Sequence, residues 1–188
     1  MRIISGDRKG FHLVSVDGNT ARPTTDFMRE YIYSVLHDVE GFMVLDLFAG
    51  TGSVGLEALS RGAKFVDFVD FSSNAISAML KNIEWTKFKE QSHIYRKMVH
   101  RYLKTCEKKY DLIILDPPYS KDLVNSTLSM ILERQLINEN GYIVIDRSTK
   151  EKLLPEVGEY LIKEKKKRAV TVSILQFCDD KGNVDEDL

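Results

Sequence analysis

The sequence has little of what would mark a membrane protein, a disulfide scaffold or a polyanion binder. No apolar run approaches the ~20 residues that cross a bilayer, and the opening MRIISGDRKG lacks the apolar core of a secretory signal. Only two cysteines occur, Cys106 and Cys178, far apart and in no metal-ligand spacing. That excludes a disulfide framework, and the expectation is two buried thiols, no metal and a cytoplasmic location. The net charge is −1, with no excess of either sign to advertise a nucleic-acid partner. No repeat or low-complexity block interrupts the 188 residues, enough for one well-packed domain, and no large extra apolar segment argues against a monomer.

The balanced charge conceals an uneven distribution. The tail DDKGNVDEDL (179–188) carries five acids and one lysine, which leaves residues 1–178 at +3. Residues 87–109 hold eight Lys/Arg against two Glu, and KEKKKR (163–168) adds five against one. Local basic surface of this kind suits phosphate, although from charge alone a solvated lysine-rich face is the favoured explanation.

Along the chain, MRIIS and FHLVSV flank a polar turn and predict a β-hairpin. RPTTDF follows, in which Pro23 resists helix at Arg22 and Thr24, Thr25 or Asp26 is placed to cap a helix over 27–36. Three regions result: an extension over 1–36, a main domain over 37–178 and an acidic tail over 179–188. From residue 42 apolar strand-like runs alternate with helical stretches: FMVLDLF, SVGLEALSRG closed by Gly62, FVDFVDF (65–71), HIYRK, HRYLKTCEKK, DLIILD (111–116), a helix around 124–135 and GYIVID (141–146). In the helix after residue 71, Ile76, Met79, Leu80 and Ile83 predict one apolar face. Alternation of this kind needs crossover connections, so the fold class is α/β with a mainly parallel sheet. YLIKEKKKR and AVTVSILQF (169–177) have no helix between them and predict an antiparallel hairpin at the sheet edge.

Ligands of such sheets sit beyond the carboxyl ends of the strands. Gly50, Gly52 and Gly55 fit G-x-G-x-x-G between a strand and a helix, the pattern of a tight turn that lets a ligand approach bare backbone. Asp70 ends the next strand, where a carboxylate can accept from ribose hydroxyls. These features suit a nicotinamide dinucleotide or S-adenosylmethionine alike. Asp46, four residues before the first glycine, would repel a pyrophosphate and favours the second, although a buried aspartate that only holds loop amides remains an alternative.

The stretch DLIILDPPYS adds Asp116, Pro117, Pro118 and Tyr119 at the end of a buried strand. The Asp116 carboxylate and the Pro117 carbonyl together suit the two hydrogens of an exocyclic amine, and Tyr119 offers a face for a base to stack on. Holding both N–H groups localises a lone pair that is otherwise spread into the ring, and positions it for methyl transfer. A base within a duplex could not reach such a pocket, so the target must be unpaired or flipped out.

VLDLFAGTGSVGLEALSRGA, DLIILDPPY and MRIISGDRKG…RPTTDFMRE together resemble the bacterial RsmD family, from Met1 to about Phe177. The resemblance implies a Rossmann-like class I S-adenosylmethionine-dependent methyltransferase with a seven-stranded, mainly parallel sheet. Its implied activity is methylation of the N2 amine of a guanine in 16S ribosomal RNA. It implies cofactor contacts from Asp46, Phe48, Gly50, Gly52, Gly55, Asp70, Phe71, Met98 and Val99. The target guanine falls at Asp116–Tyr119, and RNA contacts fall to Arg2, Arg8, Lys9, Arg22 and Thr24, with 16S rRNA in a small subunit or its assembly intermediate as the partner. DPPY alone would equally fit an amine methyltransferase of another RNA or of DNA. Three departures stand out: Asp70 replaces the family's usual Glu, FSSNA follows it in place of an Asn/Asp-Pro pair, and Met98 replaces an acid. Met98 cannot accept from an adenine amine, so weaker cofactor binding is expected.

Overall fold

The computed structural model describes residues 1–15, 26–118 and 123–178; Arg22, Pro23, Thr24, Tyr119 and the tail 179–188, on which several expectations fall, lie outside them. Seven strands form one sheet: β1 (Met43–Leu47), β2 (Phe65–Asp70), β3 (Ser92–Arg96), β4 (Tyr110–Leu115), β5 (Ile137–Ser148), β6 (Leu161–Lys167) and β7 (Val170–Phe177). Their order is β3-β2-β1-β4-β5-β7-β6. The pairings from β3 across to β5 are parallel, and β7 runs antiparallel to both neighbours. The lysine-rich hairpin of the sequence is therefore present, with β7 docked on β5 and β6 on the outer edge. Among the described residues, α1 (Asp26–Leu36) precedes the sheet, and four α-helices connect strands: α2 (Ser53–Ser60), α3 (Ser73–Thr86), α4 (Val99–Thr105) and α5 (Leu123–Glu133).

The central strands are buried on both faces, which is why they read as continuous apolar runs. Their side chains alternate between two cores. Val44, Val66, Phe68, Leu112, Ile114, Val144 and Ile174 face a core shared with α1, α2 and α3. Leu45, Leu47, Val69, Ile113, Leu115, Ile143 and Leu175 face a second core built with α4 and α5. α2 ends as expected at Gly62 (φ 99°), where the Gly62 and Ala63 amides donate back to Leu59 and Ala58.

The N-terminal segment forms the expected hairpin with short arms. They run antiparallel through a bridge between Arg2 and His12, and the Ile3, Gly10 and Leu13 amides donate across it to the Phe11, Ile3 and Met1 carbonyls at 2.9, 2.9 and 3.0 Å. The amides of its turn are taken by α2. The fully buried Glu57 accepts from the Ile4 and Ser5 amides at 2.8 and 3.0 Å, and the Ser60 carbonyl and hydroxyl accept from the Asp7 and Arg8 amides at 2.8 and 2.9 Å. Gly6 (φ 78°) lies so close to α2 that a Cβ would come within 1.6 Å of the Ser60 carbonyl oxygen. Ile3 and Leu13, with Met28, Ile32 and Tyr33 of α1, belong to the first core, so this segment packs as part of the sheet's cover.

Two expectations are corrected. Leu80 is exposed, and α3 buries Ala75, Ala78, Met79, Asn82, Ile83 and Thr86 instead; the helix contacts the core through a stripe shifted toward its small residues. Both cysteines are free, but only Cys106 is buried. Cys178 follows the last paired residue of β7 and is exposed.

Candidate active site at the carboxyl edge of the sheet

Parallel strands β1, β2 and β4 end at one edge of the sheet, with Asp46↔Phe68 and Asp46↔Ile114 in register, so the turns after them open on the same side. The turn after β1 is wound through three left-handed residues: Phe48 (φ 60°), Gly50 (φ 56°) and Gly52 (φ 75°). The strain falls on Phe48, a side chain that packs on the second core. The two glycines carry the remaining left-handed positions without a Cβ penalty.

The three glycines serve different ends. A Cβ on Gly55 would lie 2.4 Å from the Phe68 ring, 2.9 Å from Val66 and 3.0 Å from the Asp46 carboxylate, so Gly55 exists for close packing of α2 on the sheet. Gly52 is tight against Met79 and Phe68. At Gly50, by contrast, a Cβ would meet nothing nearer than 3.9 Å; the bare backbone there faces open space, as a ligand cradle requires.

Three carboxylates converge on this edge. Asp46, almost fully buried, accepts from the Gly55 amide at 3.0 Å, so its loop-holding role is real. Burial raises its pKa well above the usual carboxylate range. The Gly55 amide opposes that, while the negative charges of Asp116 and Asp70 push it further up. Asp70 accepts from the Gly50 amide at 2.9 Å through one oxygen and from the Ser72 amide at 2.8 Å through the other. The shorter acid thus clamps the glycine turn to the start of α3 while keeping lone pairs directed to either side. Its backbone carbonyl accepts from Lys97 at 3.1 Å. That bond brings Phe71 and Met98, both large and exposed, to flank the same strand ends. Val99 is buried beneath them as the first residue of α4. The end of β2 thus carries one carboxylate, with two exposed apolar side chains beside it.

After β4 the chain turns through Asp116, half-buried, then Pro117, buried, and Pro118, exposed. The Asp116 charge is felt at Asp46, which puts the expected amine acceptor and the glycine turn in one electrostatic site. The residues present fit S-adenosylmethionine: an open backbone cradle at Gly50, a carboxylate that can accept from a diol at the end of β2, and two more carboxylates, Asp46 and Asp116, close by for a cationic group. They suit a pyrophosphate poorly.

Of the expected RNA residues, Arg2, Arg8 and Lys9 are among the described ones. Arg2 and Lys9, both exposed, border one small hollow with Asp26 and Glu30. Arg8 points away from it, donating from Nε to the Thr86 carbonyl at 2.9 Å, with its guanidinium 5.2 Å from the Phe88 ring centre. Arg29 is fully buried and tied to the Arg2 carbonyl and to Asp26.

One positioning residue escaped the sequence reading. Asn82, wholly buried on the core side of α3, donates to the Thr51 carbonyl at 3.0 Å and to the Val14 carbonyl at 3.1 Å, and accepts from the Val14 amide at 2.7 Å. One amide side chain thus joins the glycine turn to the N-terminal segment. A polar residue within the Met79–Ile83 apolar stripe was the available signal.

The sheet order and the glycine turn define an S-adenosylmethionine-dependent methyltransferase of the Rossmann-like class. The solved structure of yhhF from Escherichia coli superposes with a TM-score of 0.83, covers 95% of this chain and 98% of its own, and at 23% identity shows the fold. The model of the family described as conserved hypothetical protein 95 matches residues 1–176, and the chain belongs to that family. Among curated relatives, "Putative rRNA methyltransferase YlbH" of Bacillus subtilis (strain 168) is 35% identical over 175 residues, 91% of this chain and 95% of the relative. Ribosomal RNA small subunit methyltransferase D of Haemophilus influenzae is 30% identical over 183 residues, covering 94% and 93%. The RsmD resemblance read from the sequence is borne out.

Proposed function

We propose that this methyltransferase acts on 16S ribosomal RNA of the small subunit, at the exocyclic N2 amine of one guanine. The rRNA substrate is supported by the names of the relatives that span nearly the whole chain. The observation that carries the reading is the meeting of a glycine cradle and three carboxylates, Asp46, Asp70 and Asp116, at one sheet edge, followed directly by two prolines.

S-adenosylmethionine, when bound, supplies an electrophilic methyl group on a positively charged sulfur. The chain's own residues do the rest. Gly50 and Gly52 leave the backbone open for it, Asp70 accepts from the ribose diol, Phe71, Met98 and Val99 form the apolar surround of the adenine, and Phe48 and Asp46 close the methionine side. Asp116 and the Pro117 carbonyl accept from the two N–H groups of the amine, which draws the nitrogen lone pair out of conjugation and aims it. The Asp116 carboxylate is also placed to take the proton that the methylated amine releases. Pro117 and Pro118 fix the direction of the acceptors, and Tyr119 stacks on the flipped base. Arg2, Arg8, Lys9, Arg22 and Thr24 position the RNA, with Arg2 and Lys9 exposed at the surface and Arg8 held by the Thr86 carbonyl. The enzyme works as a monomer in the cytoplasm, on the small subunit or its assembly intermediate.

Two measurements test this. Mass mapping of 16S rRNA from cells that lack the gene is expected to show one guanine lighter by a methyl group; a full methyl complement would refute the reading. Radiolabel transfer in vitro is expected to favour small-subunit rRNA over large-subunit rRNA and genomic DNA.

A further inference from the structure

Trp85 is the single tryptophan of the chain, and 66% of its surface is in solvent on the last turn of α3. Leaving so large an apolar ring in water forgoes stabilisation that burial would give, which marks a surface with an occupant. Trp85 forms one wall of a hollow of about 760 Å³ whose floor is Phe11, His12 and Val14 of the N-terminal segment. Lys81 and Lys87 stand on the rim, with Glu84 between them in sequence. Among the described residues neither lysine forms an ion pair. Lys87 caps α3 in a left-handed conformation (φ 61°), which turns the chain out of the helix axis at this point.

The hollow is firmly built and connected to the cofactor turn. Asn82 grips Val14 through both its amide and carbonyl groups and holds Thr51 of the glycine turn with the same side chain. Arg8 locks the other end of the N-terminal segment onto the Thr86 carbonyl. An occupant is therefore held at a fixed offset from the turn where the methyl donor is proposed to lie.

Resting on the rRNA reading above, we infer that this hollow seats one unpaired nucleotide of the RNA substrate away from the methylated base. Its base stacks on the Trp85 indole over the apolar floor, and its flanking phosphates meet Lys81 and Lys87. An aromatic face bordered by lysines is the combination that single-stranded nucleic acid uses. Glu84 opposes a phosphate at its own position and suits the N–H donors of a base edge, which orients the nucleotide base-inward.

Because Trp85 is the single tryptophan, fluorescence excited at wavelengths where indole absorbs and the eight tyrosines do not reports this hollow. Titration of the full chain with a short unstructured oligoribonucleotide is expected to quench it saturably. In parallel, anisotropy of a labelled oligoribonucleotide is expected to show about tenfold weaker binding for Trp85→Ala and recovery for Trp85→Phe. The double variant Lys81→Ala/Lys87→Ala should flatten the salt dependence by about 1.4 in logarithmic slope, the share of two single-strand phosphates. S-adenosylmethionine affinity and melting temperature should be unchanged in all of them. RNA binding without a fluorescence change, or undiminished binding by Trp85→Ala, overturns the inference. So does a Trp85 effect confined to particles that contain ribosomal proteins, which would mean a protein contact. If the wild type methylates 16S rRNA while Trp85 stays silent, only this inference falls; if it methylates no rRNA, the reading beneath it falls.

Discussion

The turn after β1 and the turn after β4 end neighbouring parallel strands at the same edge, yet they are stiffened by different means. The first is rich in glycine and would be loose as an isolated peptide. It is held from outside, by Asp46 on Gly55, Asp70 on Gly50 and Asn82 on Thr51. The second carries its stiffness in its own covalent rings at Pro117 and Pro118. A loop that must offer bare backbone cannot also offer bulky side chains to lock itself, so its rigidity is borrowed from the sheet and α3. A loop proposed to aim one carboxylate and one carbonyl gives up no amide it needs by becoming proline.

The largest expected effect breaks the second turn. Asp116→Ala should lower turnover by about a hundredfold or more while S-adenosylmethionine binding, measured by calorimetry, stays within a few-fold of wild type. Retained turnover in a folded variant would refute the amine-acceptor role. Next comes the packing beneath the first turn: Gly55→Ala drives a methyl group into Phe68 and should cost about 1–3 kcal/mol in denaturant unfolding, with cofactor binding weakened alongside. Asn82→Ala removes the external brace, orphaning the Thr51 and Val14 backbone groups, and should cost about 1–2 kcal/mol. Its sharper signature is a raised KM for the cofactor with kcat nearly unaltered, since the Asp116 turn is untouched. The smallest effect is a gain. Met98→Asp restores an acceptor beside the adenosine edge and should tighten S-adenosylmethionine binding by about tenfold or less, read as a lower Kd. No tightening would mean that backbone or water already satisfies the adenine amine.

Legibility in the sequence followed the range of the interactions. The alternation of apolar runs with amphipathic helices, the Gly62 stop and the C-terminal hairpin were readable because each is set by residues close together in the chain. So was the glycine turn, whose three glycines and flanking Asp46 lie within ten residues. The docking of the N-terminal hairpin on α2 was not readable, because Glu57 and Ser60, which capture the amides of Ile4, Ser5 and Arg8, lie more than fifty residues away. The exposure of Leu80 and the separation of Arg8 from Lys9 were hidden for the same reason: each depends on which neighbour arrives from elsewhere.

By itself the sequence determined the class of sheet, the presence of two specialised turns at its carboxyl edge, and the acidic and proline residues that give those turns their chemistry. Those properties follow from local periodicity and from the steric character of glycine and proline. Only the tertiary structure decided that Asp70 clamps Gly50, that Asn82 joins the glycine turn to the N-terminal segment, and that Trp85 is left facing water between two lysines. Hydrogen-bond partners and solvent exposure are properties of the space between elements, and that space exists only once the helices have packed on the sheet.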